Sequence, residues 1–464
     1  MKGTRLAAML IAAALLLGGC QSEVPADSPT PAPTEAPTPE PTSAPEPTPT
    51  PEPEIPKTDF SAFKAPEDLE EISGLPDVFT MLSGQKVESY WDYKARMQEI
   101  RDLFQYYMYG FWPDRSEETV TYTLDGEKLT VTIERGGKTA SFEALVALPD
   151  SPAPEGGYPV IIALSLAWGD APLGHGIPYQ YANDHGYAVI SYNVPQVASD
   201  DSGRTGAFYE LYPYNKDNVF EQTGSLMAWG WGGTKIIDAL ENGLGAETGI
   251  STWATVLTGV SRYGKAAFVA GAFDERIRVT MPACSGAGGA SMYRYNPSGN
   301  VYDYSSVGGP EEKKTGSPER LSNVQGGFPH WFNDNLLKFK SPEQLPVDQH
   351  MLAALCATGD RALFIISETD NDWIGPAATY ATFAAAKEIY DTIETIYDTD
   401  ASSRIAINLH WTGHAVLVED LEKALPFCGY NFYRHPRSID PELQTTVYDL
   451  EVNRQASLDE LLGR

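Results

Sequence analysis

The chain has 464 residues, is 42% hydrophobic and carries a formal net charge of -30. Such an excess of carboxylates repels phosphate backbones, which excludes nucleic acid as a partner, and it offers no attraction to an anionic membrane surface. With 9 Trp, 25 Tyr and 17 Phe, the apolar content suffices for one large core or two ordinary ones.

Residues 1–20, "MKGTRLAAMLIAAALLLGGC", place Lys2 and Arg5 before an apolar run too short for a comfortable spanning helix. The Leu-Gly-Gly-Cys ending resembles a bacterial lipobox. It implies a lipoprotein signal peptide, cleavage before Cys20 and lipid on its thiol, so the protein is expected outside the cytoplasm, held to the cell envelope only by that anchor. Residues 21–57 are dominated by Pro, Thr and Glu. Apolar side chains to repay ordering are lacking there, so this stretch is expected to be a disordered, semi-rigid tether. From residue 58 to 464 the composition is globular without a repeat or a second linker, which predicts one catalytic domain, expected as a monomer.

Within that domain, "ETVTYTLDGEKLTVTIERGGKTASFEALVALP" alternates with period two and predicts antiparallel hairpins at the first edge of a sheet. Continuous apolar runs follow: Tyr158–Trp168, Gly186–Val194, Ala254–Val260, Ile277–Ala283, Arg361–Glu368 and Ser403–Trp411. Helical patterns at Ser225–Asn242 and Gly375–Ile393 lie between them. Buried strands alternating with helices predict a mostly parallel central sheet covered on both faces, the three-layer sandwich of an α/β-hydrolase with an antiparallel N-terminal edge. The remaining cysteines, Cys284, Cys356 and Cys428, show no Cys-x-x-Cys spacing. They are expected as buried small hydrophobes, with no metal site and no cofactor.

The apolar run "ATVLTGV" ends in Gly259-Val260-Ser261-Arg262-Tyr263-Gly264, and an Ala-rich helical pattern starts at once. A serine in a strand-turn-helix junction is the nucleophile elbow of an α/β-hydrolase, here one residue longer than G-x-S-x-G. The competing reading is a helix N-cap serine. A serine nucleophile needs a histidine base and a carboxylate, each at the end of a later strand. His414 follows the last strong strand beside Gly413. His410 lies inside that strand and His350 opens a helix, so both are expected to be structural; His175, His185, His330 and His435 have no comparable context. The acid is expected after "RALFIISE", where Asp370 is favoured over Glu368 and Asp372. Two cations, Arg262 and Lys265, stand at a helix N-terminus, where they oppose the dipole, and this points to a ligand-facing role. Trp229 and Trp231 are expected to pack the core; Trp373 is the candidate sugar platform.

The stretch "TGVSRYGKAAFVAGAFDERIRVTMPACSGAGGASMYRY" resembles the glucuronoyl esterases, carbohydrate esterase family 15, as do "FPHWFNDN", "LPVDQHMLAAL", "DWIGP" and the Gly-His at His414. The resemblance implies a serine esterase acting on esters between glucuronic acid of glucuronoxylan and lignin alcohols, through an acyl-enzyme on Ser261. It gives His414 the role of base, Arg262 an oxyanion role, and Lys265, Trp373 and Gln325 contacts to the sugar. The chain departs from the family pattern in three places. Cys284 stands where many members carry the triad glutamate; Val260 replaces a cysteine that fungal members use in a disulfide; and "SLAWGDAPLGHG" differs from the pattern expected of bacterial members. The rival expectations are an esterase for another sugar or aryl acyl ester, and a catalytically silent uronate-binding surface protein.

Overall fold

Strands form where the sequence alternates or runs continuously apolar in the computed structural model, which describes residues 55, 57–165, 176–397 and 399–433. The alternating segment becomes a meander of β1 (Thr119–Asp125), β2 (Lys128–Arg135) and β3 (Lys138–Ala147), paired antiparallel in sequence order. In β2, Leu129, Val131 and Ile133 are fully buried while their neighbours are not, the one-sided burial that period two demands. The continuous runs become β4 (Tyr158–Ser165), β5 (Ala188–Asn193), β6 (Ile250–Val260) and β7 (Val279–Ala283). A short hairpin of β8 (Val301–Tyr302) and β9 (Lys313–Lys314) stands apart, and β10 (Ala362–Glu368) and β11 (Ile405–His410) complete the set.

The nine-stranded sheet has the order β1-β2-β3-β5-β4-β6-β7-β10-β11. It is antiparallel through the β3–β5 pair and parallel from β5 to β11. Helices α1 (Tyr90–Phe104), α2 (Ser225–Ala239), α3 (Arg262–Phe273) and α4 (Pro376–Tyr397) share one apolar cluster with Val160, Ile162 and Leu257 of the sheet. Helix α5 (Val418–Tyr433) shares a second cluster with Ile161, Val256, Val279, Phe364 and Ala406. Successive strand residues therefore feed opposite cores, and the three layers are those the sequence predicts. Strand β6 starts four residues earlier than its apolar run, because Ile250 pairs with Tyr158 ahead of a register shift.

Trp229 and Trp231 are buried in the core, as expected, and Cys284, Cys356 and Cys428 are buried free thiols. Among the described residues no helix is long and apolar enough to cross a membrane. The expectations for the signal sequence, Cys20 and nearly all of the tether lie outside the described residues. So do those for most of the "SLAWGDAPLGHG" loop with His175, and for His435.

Candidate active site

Strand β6 delivers Ser261 at its carboxyl end, and α3 begins at the next residue. Ser261 has φ 60° and ψ -127°, a region that side chains occupy at a cost of about 1–3 kcal/mol. Its N-H donates to the Ala283 carbonyl (2.9 Å), and its own carbonyl accepts from Lys265 N-H (3.0 Å), which locks the turn between β7 and α3. A Cβ at Gly259 would come within 2.6 Å of the Tyr263 carbonyl oxygen, and one at Gly264 within 2.5 Å of that of Ala283. The two glycines flanking the serine are thus required by the turn's tightness. The Ser261 hydroxyl makes no capping bond to α3, so its N-cap position is not what the side chain serves.

Cys284 follows β7 on the neighbouring strand, also at positive φ (47°), with its N-H bonded to Ile366 of β10 (2.8 Å). Strand β10 ends at Glu368, which stands in register with His410 of β11. His410 is structural, as expected. Its Nδ1 faces Asp420 Oδ1 (3.0 Å) and its Nε2 faces the Gly413 carbonyl (3.0 Å). Burial disfavours charge on this ring, but the Asp420 carboxylate and that carbonyl outweigh burial and raise its pKa above the ordinary histidine value. The bond to Gly413 closes the loop after β11 and returns His414 over the end of β10.

There His414 Nδ1-H donates to Glu368 Oε1. Asn371 Nδ2 donates to the same oxygen (2.8 Å) and uses its Oδ1 to accept from Trp373 N-H (3.2 Å). Burial raises the Glu368 pKa, yet the bonds from His414 and Asn371 and the nearby imidazole charges outweigh it and hold the carboxyl below its usual range. The expected acid, Asp370, is corrected by this geometry. Asp370 lies two residues past the strand, its N-H donates to the Trp411 carbonyl (2.9 Å), and its carbonyl accepts from Lys313. Asp372 pairs with Lys313 (3.1 Å). Glu368 wins because the β10–β11 register sets it opposite the strand end from which the His414 loop returns.

Arg262 forms an ion pair with Asp200. The Asp200 carboxylate also accepts from His330 Nε2 (2.9 Å) and Trp331 Nε1 (2.8 Å). Partial burial raises its pKa, but these bonds and the Arg262 charge bring it down to about 2. The guanidinium also lies 5.3 Å from the Trp331 ring and 5.7 Å from that of Phe328, two rings stacked at 4.0 Å. Arg262 is held on two sides.

Lys265 is buried, 2% exposed, with Nζ donating to Glu319 (2.6 Å) and the Ala287 carbonyl (2.6 Å). Burial lowers its pKa and Glu319 opposes that shift. Gly286, at φ 64°, leaves space over the pair, since a Cβ there would meet Glu319 Oε2 at 2.8 Å and Lys265 Nζ at 3.0 Å. Trp373 is 48% exposed, and its carbonyl accepts from Glu319 N-H (2.7 Å). Gln325, the third expected sugar contact, has its amide nitrogen engaged within the protein. Its Nε2 donates to the Leu336 and Phe339 carbonyls (2.9 Å each), so the amide braces a loop.

Sequence reasoning missed Asp200, Glu319, Asn371, His330 and Trp331. The last two sit in the quoted "FPHWFNDN", which carried a signal; Asp200 lies in a polar loop that carried none.

Residues 131–394 match the family model described as glucuronyl esterase of fungi. A multidomain esterase of Ruminococcus flavefaciens is 41% identical over 408 residues, covering 86% of this chain and 51% of that protein. This chain thus spans about half the length of that relative. A 4-O-methyl-glucuronoyl methylesterase of Neurospora crassa is 35% identical over 323 residues, covering 69% of this chain and 73% of that one. Among solved structures, a carbohydrate esterase family 15 glucuronoyl esterase from Caldicellulosiruptor kristjansonii superposes with a TM-score of 0.72 at 41% identity, covering 82% of this chain and 96% of its own. A serine-to-alanine mutant of the Sporotrichum thermophile glucuronoyl esterase, in complex with methyl 4-O-methyl-β-D-glucopyranuronate, superposes at 0.67 with 27% identity, covering 85% and 96%. With an elbow serine, a histidine on a buried glutamate and these likenesses together, the chain belongs to the glucuronoyl esterases of carbohydrate esterase family 15, on the α/β-hydrolase fold.

Proposed function

We propose that this chain is a serine esterase that hydrolyses glucuronoyl esters, with Ser261 as nucleophile, His414 as base and Glu368 as the carboxylate that orients it. The observation that carries this reading is the His414–Glu368 bond at the sheet edge where β6 ends in Ser261. Glu368 fixes the Nδ1-H tautomer, which leaves Nε2 unprotonated to accept a proton. His414 takes the Ser261 proton as Oγ bonds to the ester carbonyl carbon. The resulting oxyanion meets the Arg262 N-H at the start of α3 and the guanidinium beside it. Collapse breaks the bond to the alcohol, which leaves with the proton from His414. Water then repeats the sequence and releases the uronic acid.

The buried Lys265–Glu319 pair and the exposed ring of Trp373 supply a cation, an acceptor and an apolar face for the sugar. The substrate reading is supported by the ligand in the Sporotrichum thermophile complex, a methyl ester of a methylated glucuronic acid. The test is hydrolysis by the purified fragment from Thr58, comparing methyl and benzyl glucuronates with acetylated xylose and aryl acetates. Preference for the glucuronates is expected. A preference for acetates contradicts the reading. We further propose that residues 58–464 act outside the cytoplasm on a tether lipidated at Cys20, so Cys20→Ser is expected to move the protein from the membrane to the soluble fraction.

Two expectations concern the clamp on Arg262. Arg262→Ala is expected to lower kcat about 10²- to 10³-fold. Asp200→Asn, which leaves the guanidinium in place but untethered, is expected to lower kcat by up to about 10²-fold with KM little changed. Steady-state kinetics on benzyl glucuronate checks both. Asp200 also contributes to stability. Its folded pKa, about 2, lies below the ordinary 3.8. The contribution, about 2 kcal/mol, is therefore complete above the unfolded value and lost as pH falls toward the folded one. In urea unfolding, Asp200→Asn is expected to be less stable by that amount at pH 7, with the gap narrowing between about pH 4 and pH 2.

A further inference from the structure

Three side chains that no local spacing links meet at one edge of the sheet. Cys284 follows β7, Glu368 ends β10 and His414 follows β11, and one ligand atom of each lies within 4.8 Å of the other two. Thiolate, imidazole and carboxylate are the donors that zinc and cadmium take in four-coordinate sites. Such a site separates its donor atoms by about 3.5 Å, which follows from metal–ligand bonds of about 2.0–2.3 Å. No pair here therefore has more than about 1.3 Å to close. His414, whose side chain is 40% exposed, lies on the loop after β11 and is the face open to solvent, whereas Cys284 and Glu368 are buried.

We propose that Cys284, Glu368 and His414 form a binding site for a thiophilic divalent cation, zinc or cadmium, and that occupancy switches off the catalytic base. The inhibitory half rests on the esterase reading above; the binding half does not. The chemistry balances with one proton released. The Cys284 thiol loses its proton to solvent as sulfur bonds the metal. The His414 proton moves from Nδ1 to Nε2 as Nδ1 bonds the metal, and Glu368 exchanges its bond to that proton for one to the metal. A solvent water completes the tetrahedron. An Nε2 that carries a proton cannot accept one from Ser261, so hydrolysis stops while the fold is retained. Cys284 converts the hydrogen-bonded His414–Glu368 pair into a three-donor set. Magnesium and calcium prefer oxygen donors and are expected to leave the site alone.

The experiment titrates cadmium into the full chain carrying Cys20→Ser, which removes the one cysteine outside the described residues. It follows the ultraviolet thiolate-to-cadmium charge-transfer band and, in parallel, turnover of benzyl glucuronate. The expected result is a band at one cadmium per chain and loss of turnover over the same range, reversed by a chelator. Cys284→Ser is expected to abolish the band and to weaken inhibition by at least about tenfold while hydrolysing ester without metal. Cys284→Ala gives the same comparison should the serine variant fold poorly. A band that persists without Cys284, or inhibition unchanged by its loss, overturns the proposal. If the chain hydrolyses no glucuronate at all, the esterase reading fails, and presence or absence of the band still decides the site.

Discussion

Replacing Ser261 with alanine is expected to lower kcat for glucuronate esters about 10⁶-fold, the loss typical of removing the nucleophile from a preassembled serine site. The fold is expected to survive. The hydroxyl caps no helix, and the backbone bonds to Ala283 and Lys265 that hold the turn do not involve the side chain. Alanine also suffers no more than serine at φ 60°. The checks are single-turnover kinetics for activity and a thermal midpoint close to that of the unaltered protein. Substrate binding is expected to persist, because Lys265, Glu319 and Trp373 are untouched, so the variant should still bind glucuronate esters in calorimetry.

The second large effect separates two acids. Glu368→Gln is expected to lower kcat about 10³- to 10⁴-fold. The amide keeps the size of the side chain but offers an N-H toward His414, which favours the tautomer with the proton on Nε2, where the base must be empty. Asp370→Asn is expected to leave kcat essentially unchanged, since the Asp370 contacts to Trp411 and Lys313 use its backbone N-H and carbonyl. Measuring both on one ester decides the matter, and the opposite ranking would move the acid two residues along the loop. Asn371→Ala, which removes the second donor to Glu368, is expected to fall between them.

Much of the fold was legible because the relevant signals are local. Runs such as Val160–Leu164 declare themselves by being apolar on both faces, and the β1–β3 meander by its alternation. Ser261 was legible for the same reason, since glycines at 259 and 264 and a helix start are all within a few residues of it. Glu368 was not. Whether the acid at the strand end or the one two residues later reaches His414 depends on the register of β10 against β11 and on the His410–Gly413 bond that folds the loop back. Neither is written in the spacing of either strand. Asp200 was silent for a related reason, because its partners Arg262, His330 and Trp331 are 62, 130 and 131 residues away. Glu319 was hidden by the same kind of distance, its role set by Lys265 beneath Gly286. Gln325 was legible only as a polar residue near a family motif; that its amide nitrogen satisfies the Leu336 and Phe339 carbonyls, 11 and 14 residues on, was not.

The central claim is that His414, oriented by Glu368, activates Ser261. Its most direct measurement is trapping with a fluorophosphonate followed by peptide mass spectrometry, on the unaltered protein and on His414→Ala. The expected result is a single adduct on Ser261 in the first and its near-complete loss in the second. Glucuronate ester turnover with Ser261 left unmodified, or an adduct formed equally fast without His414, would contradict it.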